Sequence, residues 1–465
     1  MARLETRSDG CYDVRMRRQR QTLPLLGFAA LLAACAAADS EPTDRAAASR
    51  PSATTEASAE AVVERPVDTE PATVSAIETE YRWQPVPIGA GGYVTGIVAG
   101  GTDAGEATWY ARTDVGGAFA WNEVDGTWHQ IVTAEGLQDV EPVAGDYSVA
   151  SIAAAPSDGE IVYLAVGDDF NPDPPDADVV GTGRILRSDD GGRTWTTSEH
   201  RWFVNGNQQY RVGTERLAVD PRDPDHVVFA TQREGLWRSF NGGRSWDQVP
   251  LDRLPSGLND DGRGDQAGVN FAVYAATDSG ALRLFAGVAQ SGMYVSDDDG
   301  ETWEQVVDLA GGEVPASPVI TPGSLLFATH TPAAPAARLL RIDVETSSVE
   351  ELALPAPAIA WHVAADPTDP ASLVLADDAV RDGHLWTSAD GGNTWSAHDI
   401  EVDSPEIPWL EATDLDLYMS TGRLMYDPVV PGRVWFAEGM GVWRTDDIEA
   451  PTVTWRSTAA PPGGR

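Results

Sequence analysis

Two hydrophobic patterns alternate along the chain from residue 81 onward. The first is an apolar run, an Asp-Pro turn and a second apolar run, as in Leu217–Thr231 (LAVDPRDPDHVVFAT), Val363–Ala376 (VAADPTDPASLVLA) and Leu424–Ala437 (LMYDPVVPGRVWFA), with a looser copy at Ile152–Ala165 (IAAAPSDGEIVYLA). Short apolar runs bounded by Pro, Asp and Gly predict buried strands joined by tight turns. The second pattern is S-x-D-x-G-x-T-W, found at Ser188–Trp195, Ser239–Trp246 (Asn241 at the Asp position), Ser296–Trp303 and Ser388–Trp395. Asp and Gly at these offsets make a hairpin turn, and the closing Trp supplies a large apolar body to lodge between sheets. One copy of each pattern makes four antiparallel strands.

Such units begin near Tyr93, Ser148, Val212, Val269, Ala316, Ile359 and Met419. The fifth is degenerate: Asp343–Ser348 stands in for its turn motif, and strands are legible at Ser324–Thr329 and Arg338–Ile342. A unit that cannot bury its own faces must stack on copies of itself. The turn motifs resemble the Asp boxes of neuraminidase-type propellers. The fold class expected is therefore all-β: a single seven-bladed β-propeller with Asp-box repeats over residues 81–465, preceded by a disordered tether. Tyr81–Val86 is expected as an extra outer strand that closes the ring against the last blade. The box aspartates read as structural.

The segment before the repeats has another character. A basic stretch, Arg15–Arg20, precedes the apolar run Leu23–Ala34, which is too short to span a bilayer and reads as a secretory signal. The run ends Leu32-Ala33-Ala34-Cys35, which resembles the lipobox of bacterial lipoproteins and implies lipidation at Cys35. Met16 reads as the true start, residues 1–35 as signal peptide, and 36–80, rich in Ala, Ser, Thr, Pro and Glu, as the tether. The expected location is extracytoplasmic, on the cell envelope, with membrane contact through the lipid anchor alone.

Composition removes several functions. The other cysteine is Cys11, ahead of that start, so the mature chain has no thiol for catalysis, disulfide or zinc. There is no lysine, which excludes Schiff-base chemistry. A net charge of −40 makes nucleic acid a poor partner. No cofactor or metal is expected, and the acidic stretch Asp168–Asp173 reads as a solvated loop in preference to a calcium site.

Propeller topology sorts the remaining candidates. Loops joining strands b to c, and strand d to the next strand a, share one face, while Asp boxes between c and d lie on the other. The first face collects Arg112–Gly117, Gly167–Gly183, Arg201–Tyr210, Glu234, Glu438 and the loop Asp399–Tyr418. Its aromatics, amides and carboxylates suit carbohydrate, whose rings stack on Trp or Tyr and whose hydroxyls take bidentate hydrogen bonds. Trp202, Tyr210, Gln208, Glu234, Trp361 and Trp409 are the candidate substrate-binding residues. Trp202 and Trp409 read equally well as anchors packed onto a blade.

The stretches Tyr81–Trp83, Gly91–Val98 and Tyr110–Trp121, continuing through Glu215–Pro221 and Gly235–Ser239, resemble glycoside hydrolase family 74, the xyloglucanases. The resemblance is strong over residues 81–250, weak to about 385, and partly returns at Asp403–Leu410. It implies inverting hydrolysis of a β-glucan such as xyloglucan, with Asp114 of Thr-Asp-Val-Gly-Gly as general base and Asp403 as general acid. Inversion needs the two carboxyl groups about 6.5–9.5 Å apart. That family usually carries two propellers with the cleft between them, whereas this sequence has room for one. The competing reading is a non-catalytic propeller lipoprotein that binds carbohydrate or scaffolds an assembly. Sialidase action is disfavoured for want of an Arg-Ile-Pro motif, and a lyase would draw its base from His330, His362 or His384. A monomer is expected.

Overall fold

The computed structural model describes residues 92–103, 106–169, 181–212, 214–257, 267–309, 311–331, 334–355, 362–376, 384–404, 421–439 and 441–458. The signal segment with Cys35, the tether, the Tyr81–Val86 strand, Trp361 and Trp409 lie outside them. Among the described residues the strands form seven sheets, each built on four antiparallel strands in the order a-b-c-d. The inner strands are Val94–Asp103, Val149–Ala155, Leu217–Asp220, Val269–Ala276, Val314–Thr321, His362–Ala365 and Thr421–Tyr426. Neighbouring inner strands touch in sequence, and the last touches the first, so the seven blades close a ring.

Burial falls from the axis outward, as the apolar runs predict. Val149–Ala155 is buried throughout and His362–Ala365 likewise, because inner strands are covered by a blade on each side. Outer strands such as Asp247–Gln248 and Ser396–Ala397 are short and exposed. Between blades the core is continuous: Tyr110 and Ile131 of blade one pack on Ile152, Leu164 and Trp195 of blade two. The blade-two Trp195 indole donates to the Ile131 carbonyl (2.8 Å), and Trp395 does the same to Ala353 across the next such junction (2.8 Å). Trp246 and Trp303 instead donate to Gly243 and Gly300 within their own turns.

The Asp boxes are cages for a carboxylate. In blade two, Asp190 accepts from Ser188 Oγ, Thr194 N and Thr194 Oγ1 at 2.7–2.9 Å, while Ser188 Oγ accepts from Gly192 N at 2.8 Å. Blades four and six repeat this at Asp298 and Asp390. In the degenerate fifth blade Asp343 accepts from both Thr346 N and Thr346 Oγ1 at 2.7 Å, so its turn keeps the chemistry without the motif.

Closure differs from expectation in one respect. Blade seven has a fifth, outermost strand, Asp399–Asp403, which pairs in parallel with Thr452–Ser457. Residues 399–403 were expected within an interblade loop; pairing with the exposed edge of blade seven draws them into the sheet instead. The blade-one to blade-seven seam itself is sealed by side chains. Trp109, Trp121 and Trp128 surround Trp435, with ring centroids 4.9–6.5 Å away, and Trp128 Nε1 donates to Thr458 Oγ1 at 2.9 Å.

Candidate functional site

Asp114 occupies the b–c turn of blade one, following strand b, Glu106–Thr113. The turn is built locally: Thr113 N and Oγ1 both donate to the Gly117 carbonyl at 2.9 Å, and Gly116 N donates to Thr113 Oγ1 at 2.8 Å. Gly117 sits at φ +86°, open to glycine at little cost. Asp114 is tied to the segment entering blade one. Its amide donates to the Tyr93 carbonyl at 3.1 Å, and Tyr93 N donates to Asp114 Oδ1 at 2.9 Å. Gly92 allows this approach, since a Cβ there would meet Oδ1 at 2.9 Å and Gly116 N at 3.1 Å.

The carboxylate is nearly enclosed, with 10% of its side-chain surface exposed. Burial pushes its pKa above the ordinary value, against the Tyr93 amide and the Arg211 charge, which pull the other way. Arg211 Nε stands 3.7 Å from Asp114 Oδ2, and its guanidinium lies over the Tyr93 ring at 5.2 Å. Arg211 is itself fixed from both ends: Nη1 donates to the Gln208 carbonyl, and its own carbonyl accepts from Arg112 Nη2 (2.8 Å). Below, Arg112 binds Glu215 through Nε at 2.8 and 3.0 Å, and Glu215 also accepts from Ser151 Oγ and Ile152 N. The chain thus roots a desolvated aspartate and a nearby guanidinium on a rigid axial ion pair.

The other expected site residues are placed as follows. Gln208 is 5% exposed, and its side chain accepts from Tyr210 N at 2.7 Å to cap the short turn Gln209–Arg211; Tyr210 is 3% exposed, its ring 5.7 Å from that of His330. Gln208 also holds Arg211 beside Asp114, its carbonyl accepting from Arg211 Nη1 at 2.9 Å. Glu234 accepts from Phe203 N at 2.9 Å, and burial raises its pKa. Trp202 is 1% exposed, edge-on to Phe229, Trp237 and Trp246. Of its two readings the structure realises the anchor, because a ring enclosed on this scale has no face to offer a sugar.

Asp403 is exposed and pairs with Arg456, Nε to Oδ2 at 3.6 Å. Strand register sets it opposite Arg456, which is opposite Arg444, near the end of strand c that leads to the c–d turn. It therefore lies on the outer edge of blade seven toward the Asp-box face, where the sequence had put it beside Asp114. The two aspartates share no neighbour among the described residues. His330 and His362 are buried on strands, 9% and 1% exposed, His330 near the end of Ser324–Thr331 and His362 at the start of the inner strand His362–Ala365. Burial takes their pKa values down to about 4 and about 3. Asp169 is structural: it accepts from Thr182 N and Oγ1, Gly183 N and Val204 N at 2.7–3.1 Å, pinning the base of the blade-two insertion. Among the described residues no cluster of His, Cys, Asp and Glu suits a metal ion.

Arg211 and the Arg112–Glu215 pair escape sequence reasoning. Arg112 and Glu215 stand 103 residues apart, and only ring closure brings them together. The available signal was a charged residue at the end of an apolar strand in blade one and another just before the apolar inner strand of blade three.

The chain is similar to xyloglucanases. It is 28% identical over 407 residues to one from Hypocrea jecorina, covering 79% of this chain and 46% of that protein. It is 30% identical over 354 residues to one from Paenibacillus sp., covering 70% and 33%. The crystal structure of the GH74 xyloglucanase from Xanthomonas campestris superposes with a TM-score of 0.67 at 27% identity, covering 82% of this chain and 56% of that one. The chain spans a third to about half the length of these curated relatives. No protein-family model matches it.

Proposed function

We propose that this protein is an exported glycoside hydrolase acting on a β-glucan such as xyloglucan, with Asp114 as the general base that activates water. The observation that carries this reading is the environment of Asp114, desolvated enough to raise its basicity yet kept ionisable by Arg211 at 3.7 Å. A base with a pKa moved toward the working pH takes a proton from water more readily than an ordinary aspartate. The likeness to proteins named xyloglucanases supports the substrate class. Anchoring to the envelope through Cys35 belongs to the same proposal.

Asp403 is left out of the acid role. An acid must face the base across the scissile bond, and Asp403 lies on the outer edge of blade seven toward the Asp-box face, away from the turn that carries Asp114. The resemblance to two-propeller enzymes implies that the acid stands on a wall facing Asp114.

One observation favours a second reading, a binding propeller without catalysis. The turn of Asp114 has a twin in blade three, where Thr231 N and Oγ1 donate to Gly235 O and Gln232 takes the Asp114 position. There Gln232 Oε1 accepts from Asn205 N at 2.8 Å, as Asp114 Oδ1 accepts from Tyr93 N. The turn stands without a carboxylate. Reducing-end release from xyloglucan and from unsubstituted β-glucans by the full chain separates the two readings. Release with inverted anomeric configuration supports hydrolysis; saturable binding without release supports the second reading.

A further inference from the structure

We propose that the propeller axis holds a second site, separate from Asp114, that takes a small aliphatic monocarboxylate from the Asp-box face with its carboxylate on Arg423. One polar layer crosses the axis. On the side of blades one to four the layer is saturated. Arg112 donates to Glu215, Thr95 and the carbonyls of Val149, Arg211 and Thr214. Arg216 donates to the carbonyls of Ala267 and Val269 and to Asn270 Oδ1. Gly96 leaves room for this crowd, since a Cβ there would collide with the Glu215 carboxylate and the Arg112 guanidinium.

On the side of blades six and seven the layer is incomplete. Arg423 Nη1 stands 3.6 Å from Glu215 Oε1 and makes no hydrogen bond. His362, 1% exposed, makes none through either ring nitrogen. Among the described residues the Glu215 carboxylate pairs with two guanidiniums, Arg112 at 2.8 Å and Arg423 at 3.6 Å. A buried donor without a partner is relieved by an acceptor, and two cations on one anion favour an acceptor that is itself negative. A carboxylate answers both.

A cavity leads to this layer from the other face. Its volume is about 400 Å³, within the range of small-molecule pockets, and Arg423 lines it. Its rim is formed at the a–b turns by Gly100, Pro156, Pro367 and Pro428, and its walls include Val319 and Val363. The lining side chains are apolar apart from Arg423, Ser317 and Tyr426, which fits an aliphatic body with one charged end.

Isothermal titration of the full chain with sodium butyrate, sodium hexanoate, hexanamide and sodium chloride tests the site. Hexanoate is expected to bind one per chain, more tightly than butyrate, and about tenfold or more tighter than hexanamide, the factor a charge-assisted hydrogen bond supplies. Arg423→Gln is expected to abolish the preference for acid over amide while retaining a cooperative melt. Equal binding of hexanoate and hexanamide, or of hexanoate and chloride, overturns the proposal on the wild-type chain alone. Unchanged hexanoate affinity in a folded Arg423→Gln overturns it as well.

Discussion

Asp390 and Asp114 both sit in tight glycine-bearing turns, on opposite faces of one ring, and their surroundings drive them in opposite directions. Asp390 is exposed, and hydrogen bonds from the Thr394 hydroxyl and amide, then the Ser388 hydroxyl, bring its pKa down to about 2. Asp298 in blade four matches it, with Thr302 the main donor. Asp114 is buried, and burial outweighs the Tyr93 amide and Arg211 to raise its pKa. The exposed carboxylates are locked as anions by their own turns, so they brace the hairpin and have no capacity to carry a proton. The buried one is held less firmly in either state. A ring built from one repeated unit thereby keeps its turn-bracing aspartates and the proposed base apart by solvation and donor count, not by residue type.

The comparison can be broken most severely at Asp114. Asp114→Asn is expected to lower xyloglucan hydrolysis by about 10²–10⁴-fold, the usual contribution of a general base. Its melting temperature at neutral pH should match or exceed that of the wild type, because blade three carries the neutral Gln232 in the same turn. The sign with pH is set by linkage. A raised folded pKa means that ionising Asp114 costs stability as pH rises through that value, so the advantage of Asn vanishes in acid. Asp298 and Asp390, lowered to about 2 from an ordinary 3.8, act oppositely. Their contribution is complete above the ordinary value and is lost as pH falls through about 2. Thermal melts across pH separate the two behaviours.

The next effect falls on the aromatics of the same face. Trp202→Ala is expected to cost about 3–5 kcal/mol in urea unfolding, as for other fully buried large side chains. On the Asp-box face, Ser188→Ala removes the acceptor for the buried Gly192 amide and a donor to Asp190. It is expected to cost about 1–3 kcal/mol in the same assay and leave hydrolysis unchanged. The smallest effect is electrostatic. Arg211→Gln removes the cation beside Asp114 and should move the acid limb of the pH–rate profile to higher pH, by up to about one unit.

The fold was legible in the sequence to the level of blades. The predicted start at Val269 coincides with an observed inner strand, and Tyr93, Ser148 and Ala316 fall within two residues of Val94, Val149 and Val314. This follows from the strength of the local signal: Ser, Asp, Gly, Thr and Trp at fixed offsets make a turn by contacts within eight residues. Asp114 was legible for the same reason, lying in a local turn. Asp403 was misplaced because its position depends on pairing with Thr452–Ser457, a long-range edge contact that no local pattern encodes. Trp202 read two ways because an aromatic in a loop gives the same letter whether it faces a sugar or Phe229 and Trp246. Arg211 and the axial Arg112–Glu215 pair were invisible, since buried charge is intelligible only beside its partner.

The most direct test of the central claim is the pH dependence of reducing-end release from xyloglucan by the full chain. The account predicts an acid limb whose midpoint lies above the ordinary aspartate value of 3.8, reporting the raised pKa of Asp114, and loss of the activity in Asp114→Asn. A folded Asp114→Asn that releases reducing ends at the wild-type rate, with the same acid limb, would contradict it.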